Sequence, residues 1–304
     1  MLEYEEAERS LLQNGHGIDH LVVAVKNLQS SRDDYANRLG FTMTAGGRHP
    51  GGTENSLAGF EDQTYLELLG LYDPKQNEFM SGFLEKHEGG VSLGLNTGSA
   101  EKTVEFLKSR GFNPKTGEGT IKLEEMNEPP PTFWRWVDIN DGTPLSNNIF
   151  LIEYTPARTE YRRNHPEHYS QTTHGNTAKR LSTVWIAVWS IDEPRNRYEH
   201  LGLTPKGKVD LPQLNAKGLE LQAGHGTILL LAPTGEKGEI VRFLAQRGEG
   251  VIGASIEVAS LTSCKRVFAN SGIGTETING LRGESLMVNQ KDTHGLFLEM
   301  FQGH

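Results

Sequence analysis

The chain has 304 residues, a net charge of −9 and a sequence pI of about 5.7, and 36% of its residues are hydrophobic. These values are typical of a globular protein with one large domain or two ordinary ones. The negative charge, with no cluster of Lys and Arg, disfavours nucleic acid as a partner. The single cysteine, Cys264, excludes an internal disulfide and a cysteine-based zinc site.

The amino-terminal segment and the hydropathy of the chain bear on its location. Residues 1–15 are acidic with a helical pattern, which predicts an N-terminal helical extension rather than a signal peptide. No segment approaches the roughly 20 apolar residues that a membrane helix needs, so we expect no membrane partner. These features predict a cytoplasmic protein.

Four segments of the chain repeat one pattern of a strand, a helix and a short apolar–glycine–apolar motif. The predicted strands are 18–25, 91–95, 183–188 and 251–258, and the predicted helices are 30–38, 99–109, 193–200 and 261–270. The glycines of the motif are Gly40, Gly111, Gly202 and Gly272. β-Branched runs favour strands. A glycine just past a helix supplies the positive φ with which helices commonly end.

Further strand-like segments follow each predicted helix, and the last of each set is 64–71, 148–154, 227–231 or 295–301. The motif glycine precedes a fixed position in this last strand by 27, 28 and 27 residues in the first, third and fourth copies, and by 42 in the second. One helix followed by several strands predicts an α+β protein of four βαβββ modules. The alternative, an α/β protein of unrelated units, would alternate strand and helix regularly.

The predicted modules group into two halves. Modules 1 and 2 occupy residues 16–156, and modules 3 and 4 occupy residues 180–304. Residues 157–179 are polar and are predicted to link the two halves.

The sequence resembles the vicinal oxygen chelate superfamily, which includes glyoxalases, bleomycin-resistance proteins and extradiol dioxygenases, and within it the glyoxalase-like domain proteins. The segments that carry the resemblance are 17–25 (GIDHLVVAV), 49–55 (HPGGTEN), 65–69 (YLELL) and 174–178 (HGNTA). The resemblance implies that modules pair into open, cup-shaped mixed β-sheets. It also implies a divalent metal ion in the cup, held by the first and last strands of each module.

The same resemblance implies that His20, Glu67 and Glu153 are the metal ligands, with Glu67 and Glu153 as the catalytic carboxylates. Alternation along the strands supports this, because His20 is in phase with Val22, and a carboxylate within an apolar strand is costly to bury without a partner. For His20 the alternative is a hydrogen bond to neighbouring backbone. For Glu153 the alternative is an exposed position at a strand edge.

The second half departs from the metal-binding pattern. Where module 1 has His20, the first strand of module 2 has Val91, and those of modules 3 and 4 have Ser182 and Ile252. Leu230 stands at the position of Glu67, and only Glu299 retains a carboxylate. We therefore expect any ligand pocket in the first half, and a second half without metal.

Four further residues are candidates for substrate binding. His49 and Asn55 flank the glycine-rich turn 51–52, which can present backbone N–H groups to a ligand or can simply form a turn. Trp134 and Trp136 share one face of a strand, opposite Arg135, and can stack on an aromatic ligand or pack within the sheet.

Two classes of function remain open. One is a divalent-metal-dependent lyase, isomerase or dioxygenase that polarises neighbouring oxygens of a small substrate. The other is a protein that binds or sequesters a small molecule without chemistry. The sequence is compatible with a homodimer.

Overall fold

The computed structural model describes residue 12 and residues 16–122, 131–165 and 171–303. The predicted N-terminal extension lies outside these residues except for Leu12. The first half contains the strands β1 (Ile18–Ala24), β2 (Thr53–Gly59), β3 (Tyr65–Leu71), β4 (Gly89–Asn96), β5 (Lys115–Gly119), β6 (Trp134–Asp138) and β7 (Ile149–Tyr154). Its helices are α1 (Leu28–Asp33), which continues as a π-helical turn over Asp34–Arg38, α2 (Glu78–Lys86), α3 (Ala100–Ser109), α4 (Pro144–Asn148) and α5 (Pro156–Asn164), with a 3₁₀ turn at Pro74–Gln76.

Among the described residues, the second half follows the same succession of modules with one strand more than the first. Its strands are β8 (Ala178–Ala187), β9 (Thr204–Leu211), β10 (Ala216–Ala223), β11 (Gly226–Pro233), β12 (Gly250–Val258), β13 (Thr275–Gly280), β14 (Gly283–Val288) and β15 (Phe297–Gln302). Its helices are α6 (Asp192–His200), α7 (Glu239–Arg247) and α8 (Leu261–Asn270), with 3₁₀ turns at Pro212–Leu214 and Gln290–Asp292.

The four motif glycines each lie just after a helix, as the repeat predicts. Their φ angles are positive: +74° at Gly40, +79° at Gly111, +99° at Gly202 and +71° at Gly272. The apolar residue that follows each glycine donates its N–H back to the last helical turn, as Phe112 does to Leu107 O at 3.0 Å. This hydrogen bond satisfies a carbonyl that the helix leaves unpaired.

Two curled, open mixed sheets form from the paired modules, which confirms the predicted fold class. The strand orders are β2-β3-β1-β4-β7-β6-β5 and β13-β14-β15-β12-β8-β11-β10-β9. In both sheets the first strands of the two modules are antiparallel neighbours at the centre, and each is parallel to the last strand of its own module. Module 1 lacks one strand of the βαβββ pattern. Among residues 41–52, which carry the His49 turn, the backbone forms only isolated bridges at Arg48.

Each sheet has one face toward a shared core and one concave face. Leu21 and Val23 of β1 and Val184 and Ile186 of β8 belong to the same cluster of buried apolar side chains, so this core spans both halves. The alternate residues of β1 point to the opposite, concave side of the first sheet. This alternation gives the first half a cup whose wall is not part of the main core.

A polar contact joins the halves near α1. His294, in the loop before β15, lies with Nε2 3.0 Å from Asp34 Oδ2 and Nδ1 3.4 Å from Glu88 Oε2. Burial lowers the pKa of His294, but the hydrogen bonds and charges of Glu88 and Asp34 outweigh it and raise the pKa above its ordinary value. The protonated ring therefore ties residues of the first half to a loop of the second.

Replacement of His294 by Asn is expected to lower stability most under mildly acidic conditions. A group whose pKa is raised by folding stabilises the native state fully below its unfolded pKa, about 6.5, and this contribution disappears as pH rises through the raised value. Asn tolerates the positive φ of 54° at this position. Urea unfolding across pH 5 to 9 measures the effect, with the exposed His225→Asn as the control. A stability difference that is constant with pH would contradict the assignment.

No helix within the described parts of the chain is long and apolar enough to cross a membrane.

Candidate functional site

An irregularity in β1 brings two ionisable side chains together. Ile18 pairs with Leu95 and His20 pairs with Gly94, so three residues of β1 face two of β4 and the strand bulges at Asp19. A bulge redirects side chains that would otherwise alternate between faces. Here it lets Asp19 Oδ1 lie 2.6 Å from Nδ1 of the His20 ring. The His20 ring packs on Gly94, where a Cβ atom would lie only 2.6 Å from Cε1, so the glycine makes room for it.

The hydrogen bonds of Asp19 define the tautomer of His20. Burial alone would raise the pKa of Asp19, but its contacts with His20 and Tyr154 and the charge of Arg158 hold the pKa below its ordinary value. Asp19 is then a carboxylate, which only accepts hydrogen bonds, and it accepts one from Tyr154 Oη at 2.5 Å. His20 must therefore be protonated at Nδ1, which donates a hydrogen bond to Asp19. The other ring nitrogen, Nε2, is then free to exchange a proton.

Glu67 of β3 faces that nitrogen. Its Oε2 lies 3.5 Å from His20 Nε2, and its Oε1 accepts a hydrogen bond from Asn55 Nδ2 at 2.7 Å. The Gly47 N–H donates to Asn55 Oδ1 at 3.1 Å, which fixes the amide with its nitrogen toward Glu67. Glu67 and His20 are both buried, with 8% and 3% of their surface exposed. Two proton acceptors at this separation can share or pass on one proton.

His49 extends the polar chain to the β2 side. Its Nδ1 lies 2.8 Å from Thr53 Oγ1, and Asn55 Nδ2 approaches its Nε2 at 3.4 Å. Nε2 is therefore the acceptor, and the ring is neutral. Burial lowers the pKa of His49, and the opposing charge of Glu67 does not reverse the shift.

Two tyrosines support the His20 ring. Tyr65 stacks on His20 with ring centroids 4.5 Å apart, and its hydroxyl lies 3.0 Å from that of Tyr154. Because the Tyr154 hydroxyl donates to Asp19, the Tyr65 hydroxyl is the donor to Tyr154. Burial raises the pKa of both tyrosines well above the ordinary value, and nearby negative charge adds to the effect. Both therefore stay neutral and orient the Asp19–His20 pair.

These polar groups lie at one wall of a cavity of about 320 Å³ in the concave face of the first sheet. Most of the other lining side chains are apolar: Val22, Leu57, Leu69, Phe79, Met80, Val91, Ile121, Phe133, Trp134, Phe150 and Ile152. Such a cavity, with a few convergent polar groups, is the usual form of a small-molecule site.

The structure brings together four of the residues singled out from the sequence. His20, Glu67, His49 and Asn55 form one continuous polar group in the cavity, in which Asn55 is hydrogen-bonded to Glu67 and His20 approaches Glu67 at 3.5 Å. Trp134 lines the same cavity, in edge contact with His49, with ring centroids 5.7 Å apart. Trp136 lies on the same face of β6 but lines a neighbouring cavity.

Glu153 does not join this group, and the expectation that it converges with His20 and Glu67 is wrong. In β7 the residues that face the cavity are Phe150, Ile152 and Tyr154, so Glu153 points to the opposite face. There its Oε2 accepts the Ala100 N–H at 2.9 Å, at the amino terminus of α3, and Arg135 lies 3.5 Å from Oε1. A carboxylate at a helix amino terminus stabilises the helix, so Glu153 has a structural role.

The side chains of the cavity do not fit the metal ion that the resemblance implies. Among the described residues, no three His, Cys, Asp or Glu side chains are grouped so that they could hold one. Glu67 already accepts the Asn55 amide, and the Gly47 hydrogen bond prevents Asn55 from presenting its oxygen instead. The open atoms, Glu67 Oε2 and His20 Nε2, are only two, fewer than the three or four ligands that a protein metal site usually supplies.

Sequence reasoning missed Asp19, Tyr65, Tyr154 and Arg158, the last of which lies over the Tyr154 ring at 3.3 Å and lines the cavity. The alternation of β1 places Asp19 on the face opposite His20, and only the bulge overrides this. Tyr65 and Tyr154 are in phase with the cavity face of their strands and could have been found by the same alternation that found Glu67.

The matching concave face of the second sheet is filled. A cluster of buried apolar side chains there includes Trp185, Leu229, Ile252 and Phe297 from the sheet and Phe243 from α7. Glu299 is 1% exposed and accepts hydrogen bonds from Ser255 Oγ at 2.5 Å and Ser285 Oγ at 2.7 Å. Burial raises the pKa of Glu299, and the two hydroxyl groups offset the shift only in part.

Comparison with protein-family models identifies the family of this chain. The model of the glyoxalase-like domain family matches residues 18–202, which is more than half of the chain. The chain therefore belongs to the glyoxalase-like domain family and has a vicinal oxygen chelate fold. No curated protein matches it.

One solved structure shares the fold over almost the whole chain, and two others match less than half of it. A hypothetical protein from Staphylococcus aureus is 14% identical, with a TM-score of 0.60, and the match covers 94% of this chain and 98% of that one. Methylmalonyl-CoA epimerase from Mycobacterium tuberculosis is 23% identical, with a TM-score of 0.40, over 42% of this chain and 90% of its own. A hypothetical protein from Bacillus halodurans is 28% identical, with a TM-score of 0.38, over 41% of this chain and 94% of its own.

Proposed function

We propose that the protein is an isomerase or lyase that moves a proton at a carbon next to a carbonyl group of a small, largely apolar substrate. The observation that carries the proposal is the Asp19–His20–Glu67 arrangement in the wall of an apolar cavity. Titratable groups that are buried together in a cleft and oriented by further hydrogen bonds are typical of acid–base sites.

The chemistry starts with Glu67 as a carboxylate and His20 protonated on both ring nitrogens. Glu67 takes the proton from the carbon, and the electron pair of the broken C–H bond moves to form an enolate. The Nε2–H of His20 donates to the oxygen on which the negative charge develops, while Asp19 stabilises the imidazolium through Nδ1. Return of the proton to the same or a neighbouring carbon completes an isomerisation. Positioned proton transfer of this kind contributes roughly 10²–10⁴ in rate.

The apolar lining excludes water and selects the substrate. Trp134 and Phe150 offer aromatic faces and edges to a ring. The low polarity of the cavity also strengthens the interaction between His20 and a developing oxyanion. We therefore propose an aryl or alkyl ketone, or a related carbonyl compound, as the substrate class.

The apolar lining also favours a second function, which is binding and sequestration of an aromatic small molecule without chemistry. One experiment separates the two. Phenylacetone is incubated with the protein in D₂O, and exchange of its α-protons is followed by NMR, with and without EDTA. Enzyme-dependent exchange that survives EDTA is the expected result. Binding without exchange would favour sequestration, and exchange abolished by EDTA would restore the metal-dependent mechanism.

A further inference from the structure

A second cavity, of about 340 Å³, adjoins the first where the two halves meet. Phe79 and Val91 line both cavities. Two cationic residues also line the second cavity: Arg247, the last residue of α7, and Lys86, the last residue of α2. A ligand in the first cavity can thus extend past Phe79 toward two cationic side chains.

The guanidinium group of Arg247 is half-buried without a negative partner. It lies between the rings of Phe83 and Phe243, 5.0 and 4.6 Å from their centroids. Its hydrogen bonds go to two neutral backbone carbonyls, Glu88 O at 3.1 Å and Gly90 O at 2.9 Å, and it pairs with no carboxylate of the described residues. Burial lowers its pKa to about 10. A cation removed from water without an opposing charge is costly, and an anion beside it would remove that cost.

Asn148 supplies a second, independent observation in the same cavity. Its side chain is buried, with 3% of the residue surface exposed, and lines the cavity. Its amide makes no hydrogen bond to the side chains or backbone of the described residues, and it is open to the cavity rather than sealed from solvent. It can therefore donate to a ligand that enters the cavity. Glu249 also lines this cavity, but its carboxylate accepts the Trp189 N–H at 2.9 Å.

The distance between the two sites follows from β4. The His20 ring packs on Gly94, and Arg247 donates to the carbonyl of Gly90, four residues away on the same strand. At a rise of about 3.3 Å per residue, the backbone positions of Gly94 and Gly90, on which the two groups rest, are roughly 13 Å apart.

From this geometry we infer that Arg247 and Asn148 form a subsite for a carboxylate or phosphate group of the substrate, held about 13 Å from the reacting carbon at His20 and Glu67. The fork of a guanidinium group suits both anions. The position of the reacting carbon rests on the proposed function, whereas the anion subsite itself does not. The substrate is then an elongated molecule with a carbonyl-bearing apolar end and an acidic end.

The test is calorimetric titration with ω-phenylalkanoic acids of increasing chain length and with the ω-phenylalkanols of equal length. The acids are expected to bind about tenfold to a hundredfold more tightly than the alcohols, but only once the chain spans the roughly 13 Å between the sites. Arg247→Gln should remove this advantage and Arg247→Lys should keep part of it. Arg242→Gln, on the same helix but ion-paired to Glu239, is the control and should change nothing.

Equal affinity of acids and alcohols at every length would overturn the inference, as would an advantage of the acids that is independent of length or survives in Arg247→Gln. The phenylacetone experiment separates these failures from failure of the proposed function, because phenylacetone has no anionic group. Exchange of phenylacetone without any preference for long acids would support the proposed acid–base site and refute the anion subsite. A preference for long acids without exchange of phenylacetone would support the anion subsite and refute the proposed chemistry.

Discussion

Glu67→Gln is expected to slow the exchange of phenylacetone α-protons by roughly 10²–10⁴. Gln has nearly the same shape but cannot accept the proton from the carbon, so the substitution removes the base while the cavity keeps its volume. Exchange rates measured by NMR at saturating phenylacetone test this directly.

The matched control is Glu299→Gln, in the last strand of module 4, where the repeat places the counterpart of Glu67. Glu299 accepts hydrogen bonds from Ser255 and Ser285 in the filled second cup, and its raised pKa makes Gln a close substitute for the protonated form. It should change the exchange rate by no more than a few-fold. Equal losses in the two variants would show that the Glu67 result reflects general destabilisation rather than loss of a base.

Trp185→Ala is expected to lower the free energy of unfolding by about 3–5 kcal/mol. Trp185 is 1% exposed at the centre of the filled second cup, and its Nε1–H donates to Ser255 Oγ at 2.9 Å. Removal of the ring leaves a large cavity and an unpaired hydroxyl acceptor. Urea denaturation measures the change.

The control for this variant is Trp189→Ala, since Trp189 is 53% exposed and its loss should cost no more than about 0.5 kcal/mol. Under conditions where both variants are folded, phenylacetone exchange in the first cup should match that of the unmodified protein. Loss of ligand binding in Trp185→Ala without loss of stability would mean that the second cup, rather than the first, is the binding site.

The fold could be predicted because its signals are local and periodic. Each of the four modules has a glycine just after its helix, and this glycine takes a positive φ, as Gly40 and Gly272 show. The phase of a strand likewise identified Glu67 and the shared face of Trp134 and Trp136, because side chains alternate with a period of two.

The errors arose where this period is broken. The bulge at Asp19 depends on pairing with β4, a strand about 70 residues later in the sequence, and nothing local to β1 reveals it. Glu153 was placed by counting through the longer loops of module 2, and an offset of one residue moves a side chain to the other face of a sheet. The predicted metal set loses Glu153 to this offset, which leaves His20 and Glu67 as its two members in the cavity.

The central claim is that the first cup is the functional site and the second is filled. A crystal structure with phenylacetone bound tests it most directly. We expect the ketone in the first cup, with its ring against Trp134, its oxygen within hydrogen-bonding distance of His20 Nε2 and its α-carbon facing Glu67. Leu230, which was expected at the position of Glu67, lies on the core side of β11, so the second cup is marked by Trp185 and Glu299. Density for the ketone around Trp185 and Glu299, or in the first cup with its oxygen turned away from His20, would contradict the account.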